Sequence, residues 1–205
     1  MKKQWIIALV GLSMLLAGCK SNNNTLEKAG DNQEKRTVQS TDKKDSSSDS
    51  AVQFPEVKVT VAQAIQAYEK AYPETVLTSL ELDTSFGEYR YELKGVDDSK
   101  EYQLKVHAQT GAITKEREEV LDQEDQKGVA KEQEALDLKG LKDLNEITQI
   151  AVTAIGQGNA VEWSLERELA TTYWEVTIHS GNQDASVKIN AQTGEVIEKE
   201  IDSKK

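Results

Sequence analysis

The tetrapeptide AQTG occurs twice, at residues 108–111 and 191–194, and the offset between the copies (191 minus 108 is 83) holds without a gap from a helical pattern upstream to a charged tail downstream. Such a repeat constrains the fold more than composition does. Whatever supersecondary unit the first copy builds, the second must build as well.

In the first copy, residues 60–72 read TVAQAIQAYEKAY. Thr60 and Gln63 stand at capping-box spacing, Val61, Ala64, Ile65, Tyr68 and Tyr72 share one helical stripe, and Pro73 forbids continuation. Three alternating runs follow: Leu80 and Leu82; Tyr89, Tyr91 and Leu93; Tyr102, Leu104 and Val106. Ile113 starts a fourth run, short and charged. Period two with polar alternates predicts strands covered on one face only, with the helix lying across an antiparallel sheet.

In the second copy, Asp143 and Glu146 take the cap positions, and Leu144, Ile147, Ala151, Ala154 and Ile155 rebuild the stripe. Trp163 and Leu165 replace Leu80 and Leu82, Trp174 and Val176 replace Tyr91 and Leu93, and Val187 and Ile189 replace Leu104 and Val106. The spacing of the two tryptophans puts them on the covered face, as core side chains. The expected class is α+β: two repeated small domains, each one helix packed on an antiparallel β-meander.

Gly181-Asn182 has the Gly-first signature of a two-residue type II′ hairpin. Pairing outward from it predicts Ile178 opposite Ala185, Val176 opposite Val187 and Trp174 opposite Ile189 on the apolar face. The other face then pairs Thr177 with Ser186, Glu175 with Lys188 and Tyr173 with Asn190. Shifted back by the repeat offset, the charge pair becomes Glu92 with Lys105. The tetrapeptide itself reads as the next turn, with Gly111 and Gly194 left-handed and Asn190 bonding its own turn. His107, in the matching place, can do so only weakly.

The N-terminus, MKKQWIIALVGLSMLLAGCK, sets Lys2 and Lys3 before an apolar run over residues 5–17, which is a secretory signal pattern and shorter than the roughly 20 residues of a membrane span. Its end, LAGC, resembles a bacterial lipobox. That resemblance implies diacylglyceryl transfer to the thiol of Cys19, cleavage after Gly18, and a mature chain anchored to the lipid bilayer on the extracytoplasmic side. Two acyl chains, at about 0.8 kcal/mol per buried methylene, hold such a chain at the membrane where one would not. Residues 20–53 are polar apart from scattered Leu26, Val38 and Val52, too little apolar surface to offset ordering. They form a tether of roughly 30 Å typical span. The domain map is therefore signal peptide 1–18, disordered tether 19–56, first domain 57–117, acidic linker 118–139 and second domain 140–201.

Composition excludes whole classes of function. With 25 basic and 36 acidic side chains the net charge is -11, which repels nucleic acid. One cysteine permits no internal disulfide, and His107 and His179 have no metal-ligand spacing, so neither metal nor other cofactor is expected. Asp122, Glu124 and Asp125 lack the glycine and alternating oxygens of a calcium loop and read as solvated linker. No histidine has a recognisable Ser or Asp partner, so no enzyme is expected.

The order of helix, strands and the segments YRYELKGVDDSKEYQLKVHAQTGAI and TYWEVTIHSGNQDASVKINAQTGEVI resembles two PepSY domains, over roughly residues 57–117 and 140–201. His107 departs from the acidic or amide residue usual before that turn. The resemblance implies a helix on an antiparallel sheet, no catalysis, and binding to exported peptidases or other envelope proteins, with peptidase inhibition often proposed. The alternative is a structural or accessory subunit of an envelope membrane complex. Partner contact is expected on surface that the helices leave free: the outer strand face around Tyr173, Glu175 and Lys188, the equivalent Arg90, Glu92 and Lys105, and the groove between the copies. Alternation places the Tyr173 ring on the solvent side.

Overall fold

The structure, a computed structural model, describes residues 55–85 and 87–203. The expected signal peptide, Cys19 and the tether as far as Phe54 lie outside these residues.

Each copy is one helix and a four-stranded meander. The first comprises α1 (Val61–Ala71), β1 (Val76–Ser85), β2 (Glu88–Val96), β3 (Lys100–His107) and β4 (Ile113–Val120). A short α2 (Val129–Glu134) precedes the second copy: α3 (Leu144–Ile155), β5 (Asn159–Glu168), β6 (Thr171–Ser180), β7 (Gln183–Asn190) and β8 (Val196–Ser203). The two meanders join edge to edge as one eight-stranded antiparallel sheet, in the order β4-β3-β2-β1-β5-β6-β7-β8.

The joint is symmetric. Leu80 faces Leu165, Glu81 faces Ser164 and Leu82 faces Trp163. Because Ser164 is the counterpart of Glu81 under the repeat offset, a pseudo-two-fold axis runs through that pair, normal to the sheet. Such an axis sends both helices to the same face. Ala64, Ile65 and Tyr68 of α1 accordingly share one core with Ile147, Ala151 and Val152 of α3, and Tyr89 of β2 packs its ring 6.1 Å from that of Trp163 of β5. The six inner strands, β1 to β3 and β5 to β7, contribute the buried apolar side chains of that face, while Ile113 and Val120 of β4 and Ile197 and Ile201 of β8 stay exposed at the two edges.

The hairpin registers follow the sequence expectation. Ser180 and Gln183 close the β6–β7 turn, Gly181 has φ 62, and Glu175 faces Lys188 as Glu92 faces Lys105. At α1 the capping box forms, Thr60 Oγ1 accepting from Gln63 N at 3.2 Å and Gln63 Oε1 from Thr60 N at 2.8 Å. At α3 it forms only by half. Asp143 accepts from Asn145 N at 2.8 Å, while Glu146 turns to Lys142 instead.

The repeated tetrapeptide is more than a turn. Gly111 and Gly194 are left-handed, φ 72 and 77, and donate to His107 O and Asn190 O. The buried alanines accept the backbone that leads into each helix, Val59 N to Ala108 O at 2.9 Å and Lys142 N to Ala191 O at 2.8 Å. The glutamines reach the same segments, Gln109 to Glu56 O and Gln192 to Asp137 O. AQTG thus ties strand end, turn and helix entry together. Asn190 Oδ1 accepts from Gln192 N and Thr193 N, whereas His107 Nδ1 accepts only from Gln109 N.

The segment expected as an acidic linker is built into the fold. Leu136 is buried and donates its N–H to Leu77 O at 2.9 Å, and Arg167 of β5 bonds Ala135 O at 2.8 Å. Its apolar residues are too sparse to show a period, which is why alternation missed it.

Candidate functional site

Both candidate surfaces named from the sequence are present. The open sheet face carries Arg90, Glu92, Lys105, Tyr173, Glu175 and Lys188, all at outward positions on β2, β3, β6 and β7. The two charge pairs behave differently. Lys105 sits between Glu92 at 3.5 Å and Glu116 of β4 at 3.7 Å, whereas Lys188 points to Glu198 of β8 at 3.2 Å. The cause is a β-bulge: it sits at Glu116 in β4 but at Ile197 in β8, so Lys105 faces Thr114 while Lys188 faces Glu198.

Tyr173 requires a correction. Its ring is on the outer face but only 7% exposed. Its hydroxyl donates to Glu166 Oε2 at 3.0 Å, and Lys188 Nζ sits 5.4 Å above its centroid. An outward position in mid-sheet is flanked by long side chains of both neighbouring strands, and these cover the ring within the chain itself. Arg90, at the matching position, pairs with Glu88 at 3.3 Å.

Several carboxylates of the open face gather around Glu81, beside the pseudo-two-fold. Glu81 lies on the axis and faces Glu92. Burial first, then the charges of Glu162, Asp83 and Glu92, hold its carboxyl above the usual range, with Lys94 opposing. Burial also raises Asp83 and Glu175. For Glu175, Lys188 and a bond from Ser186 pull the other way. Like charges facing one another across strands are destabilising, so this seam is electrostatically loaded.

The histidines differ from expectation. His179 Nδ1 is 2.9 Å from Asp184 and His107 Nε2 is 3.2 Å from Glu88. Both are cross-strand surface pairs, and among the described residues no Ser or Thr hydroxyl bonds either ring. The oxygens of Asp122, Glu124 and Asp125 gather within 4.8 Å of one another. Three carboxylates, those of Asp122 and Glu124 exposed and that of Asp125 half-buried, fall short of the six to eight oxygens of a calcium site.

The groove between the copies is a cleft of about 780 Å³ on the helix side of the sheet. Its apolar lining comes from Val61, Ala62 and Ile65 of α1, Tyr91 of β2, and Leu138 and Leu141 before α3. Gln66 and Glu69 of α1 and Asp143 and Asn145 at the start of α3 supply polar groups. Tyr91 is fixed from below, donating to Val59 O at 2.8 Å. Nothing in the alternation of one copy announces this cleft. It exists because the seam brings the entry turns of two helices to one face, and only the pairing of β1 with β5 reveals that.

Comparison with known proteins agrees with the duplication. A family model described as peptidase propeptide and YPEB domain, PepSY, matches residues 58–117 and 143–200, together more than half of the chain. Among solved structures, the chain is similar to a candidate lipoprotein from Clostridium difficile 630. The TM-score is 0.69 and the identity 29%, over 72% of this chain and 95% of that one. A comparison with curated proteins finds no match.

Proposed function

This chain belongs to the PepSY family, and from that premise we propose that it is a non-catalytic extracytoplasmic binding module, lipid-anchored through Cys19, that binds or restrains an exported peptidase or other envelope protein. The carrying observation is the fusion of two family copies into one sheet with both helices on one side, which leaves a cleft and a broad polar face for protein contact. The family's description as a peptidase propeptide supports a peptidase as partner, and the similarity to a candidate lipoprotein supports the anchor. Among the described residues no helix is long and apolar enough to cross a membrane.

The action is steric. A folded domain held at the membrane by two acyl chains has a high local concentration beside any partner there, so modest intrinsic affinity suffices. The signal peptide and the tether read from the sequence belong to this reading, the tether lying between lipid and fold.

The test is crosslinking in intact cells followed by mass spectrometry, on the native chain and on Cys19→Ser. The native chain should fractionate with membranes and capture exported peptidases, and the variant should be released and capture less. Unchanged fractionation with no lipid in either form removes the anchor. A constant stoichiometric membrane complex without peptidases replaces the partner reading by that of an accessory subunit.

A further inference from the structure

We infer that the cleft between α1 and α3 is a docking groove for an extended polypeptide segment of a partner, one that carries apolar side chains together with a lysine or arginine. The inference rests on the reading of the chain as a binding module and names the chemistry of what it binds.

Size comes first. About 780 Å³ falls within the range of built ligand sites and exceeds what one inserted side chain fills. The floor and walls are apolar, with Tyr91, Val61, Ile65, Leu138 and Leu141 presented on elements fixed by the sheet below and by the AQTG ties. A polar small molecule would leave these surfaces wet. Apolar side chains in the segment remove them from water.

The rim selects a polypeptide. Gln66 and Asn145 stand exposed on opposite walls, and a side-chain amide both donates to a carbonyl and accepts from an N–H. An extended backbone offers those two groups at every residue.

Charge selects the sign. The ionised side chains lining the cleft are Glu69, Asp143 and Lys142, and Lys142 is engaged by Glu146 outside the lining. Glu69 and Asp143 have no cationic partner within 4 Å among the described residues. At the helix starts the caps take up Gln63 N of α1 and Asn145 N of α3, which lessens what these ends offer an anion. A basic residue in the segment meets two carboxylates, on a chain whose net charge of -11 also steers a cation inward.

The probe is a ten-residue peptide alternating leucine and lysine, titrated into the chain from residue 19 onward bearing Cys19→Ser, which contains every described element. Binding is read by backbone and side-chain NMR shifts. The expected result is saturable binding with shifts at Ala62, Ile65, Gln66 and Leu141. It should weaken at least ten-fold in Ala62→Trp, which fills the groove from an exposed position, and several-fold in Glu69→Gln. Equal affinity for the leucine–glutamate peptide, or no loss in Ala62→Trp with its unfolding curve unchanged, overturns the inference. So does binding that appears only when residues 20–54 are removed, because the groove then belongs to the chain's own tether. Failure here leaves the anchor and the partner reading intact, since crosslinked peptidases would still be captured through the open face. Failure of Cys19→Ser to release the chain leaves this titration unaffected.

Discussion

In the first repeat, Tyr68 of α1 lies over Gly95 of β2 so closely that a β-carbon there would sit 2.3 Å from its hydroxyl. The matching positions of the second repeat hold Ala151 and Ile178, both buried. Large against small has become small against large, and the helix still rests on the sheet. The aromatic cluster of the first repeat, with Tyr72 and Tyr102 rings 4.8 Å apart, has Ile155 and Ala185 in its place in the second. The second repeat instead moves its bulk to Trp163 and Trp174 and adds a buried polar link: Trp163 Nε1 donates to Thr148 Oγ1 at 2.9 Å, and Thr148 Oγ1 donates to Leu144 O at 2.7 Å. The two repeats therefore conserve total volume and face, while the distribution of that volume is free.

Breaking this comparison at its centre has the largest expected effect. Trp163→Leu imports the residue that Leu80 supplies in the first repeat. It removes buried volume and strips Thr148 of its donor, and should cost about 2–4 kcal/mol in urea unfolding. Thr148→Ile imports the counterpart of Ile65 and alone should destabilise, by overpacking and by leaving the indole N–H unpaired. Combined, the two changes should recover at least about 1 kcal/mol of the summed losses in a double-mutant cycle. Strict additivity would mean that the repeats are not interchangeable units.

A shared backbone is also conserved by unequal means. Lys115 reaches Ala71 O at 3.3 Å and Lys199 reaches Ala154 O at 3.2 Å, each an edge-strand lysine on the last turn of a helix. The two carbonyls keep the repeat offset, but the second lysine stands one position beyond it, a discrepancy absorbed by the displaced bulges of β4 and β8. This explains what the sequence could and could not disclose. Alternation and the repeat interval were sufficient for both helices, all eight strands, the core faces and the register around Gly181, because each depends on neighbours near in sequence. The seam depends on two strands from different copies, far apart along the chain, and nothing in either strand marks it as an inner one. The open face was legible as a surface, yet the covering of Tyr173 was not, since it comes from side chains of β5 and β7. The cleft inherits the seam's illegibility. Its polar residues, Gln66, Glu69 and Asn145, read in the sequence as ordinary solvated helix positions.

The repeats should also differ in their response to acid. Asp97, which has Ser180 as its counterpart, closes the β2–β3 turn. Its carboxylate accepts from Ser99 N, Ser99 Oγ and Lys100 N, and from the Tyr102 hydroxyl at 2.7 Å. Burial alone would raise its pKa, but these bonds outweigh burial and pull it from 3.8 to about 2. A depressed carboxylate contributes stability above its unfolded value, and that contribution is lost as pH falls from near 4 to about 2. Asp97→Ala should cost about 1–2 kcal/mol at neutral pH, through lost turn bonds, and flatten the pH dependence of unfolding across that window. The same window should be unaffected by Ser180→Ala. If Asp97→Ala leaves the acid limb unchanged, the turn is held by backbone alone.

The smallest effect sharpens the comparison at the hairpin tips. Between β1 and β2 the first repeat has Gly87, at φ 82, while the second joins β5 to β6 through Leu169 and Ala170, at φ 56 and 112. Two L-residues with side chains therefore occupy left-handed backbone, Ala170 at the place of Gly87, and such conformations cost a β-carbon about 1–2 kcal/mol. Ala170→Gly removes that cost but adds unfolded-state freedom, so the net gain should be about 0.5–1 kcal/mol. The reciprocal change isolates the backbone contribution, because a β-carbon on Gly87 meets no atom within 4 Å. Gly87→Ala should thus lose a comparable amount through conformation only. Both are read as shifts in urea midpoint at constant slope. Equal and opposite shifts would establish that the tips are the same turn built on a permissive and a strained residue. A neutral Ala170→Gly would instead mean that the second tip holds its conformation without strain, and that the repeats differ there in turn geometry as well as in residue.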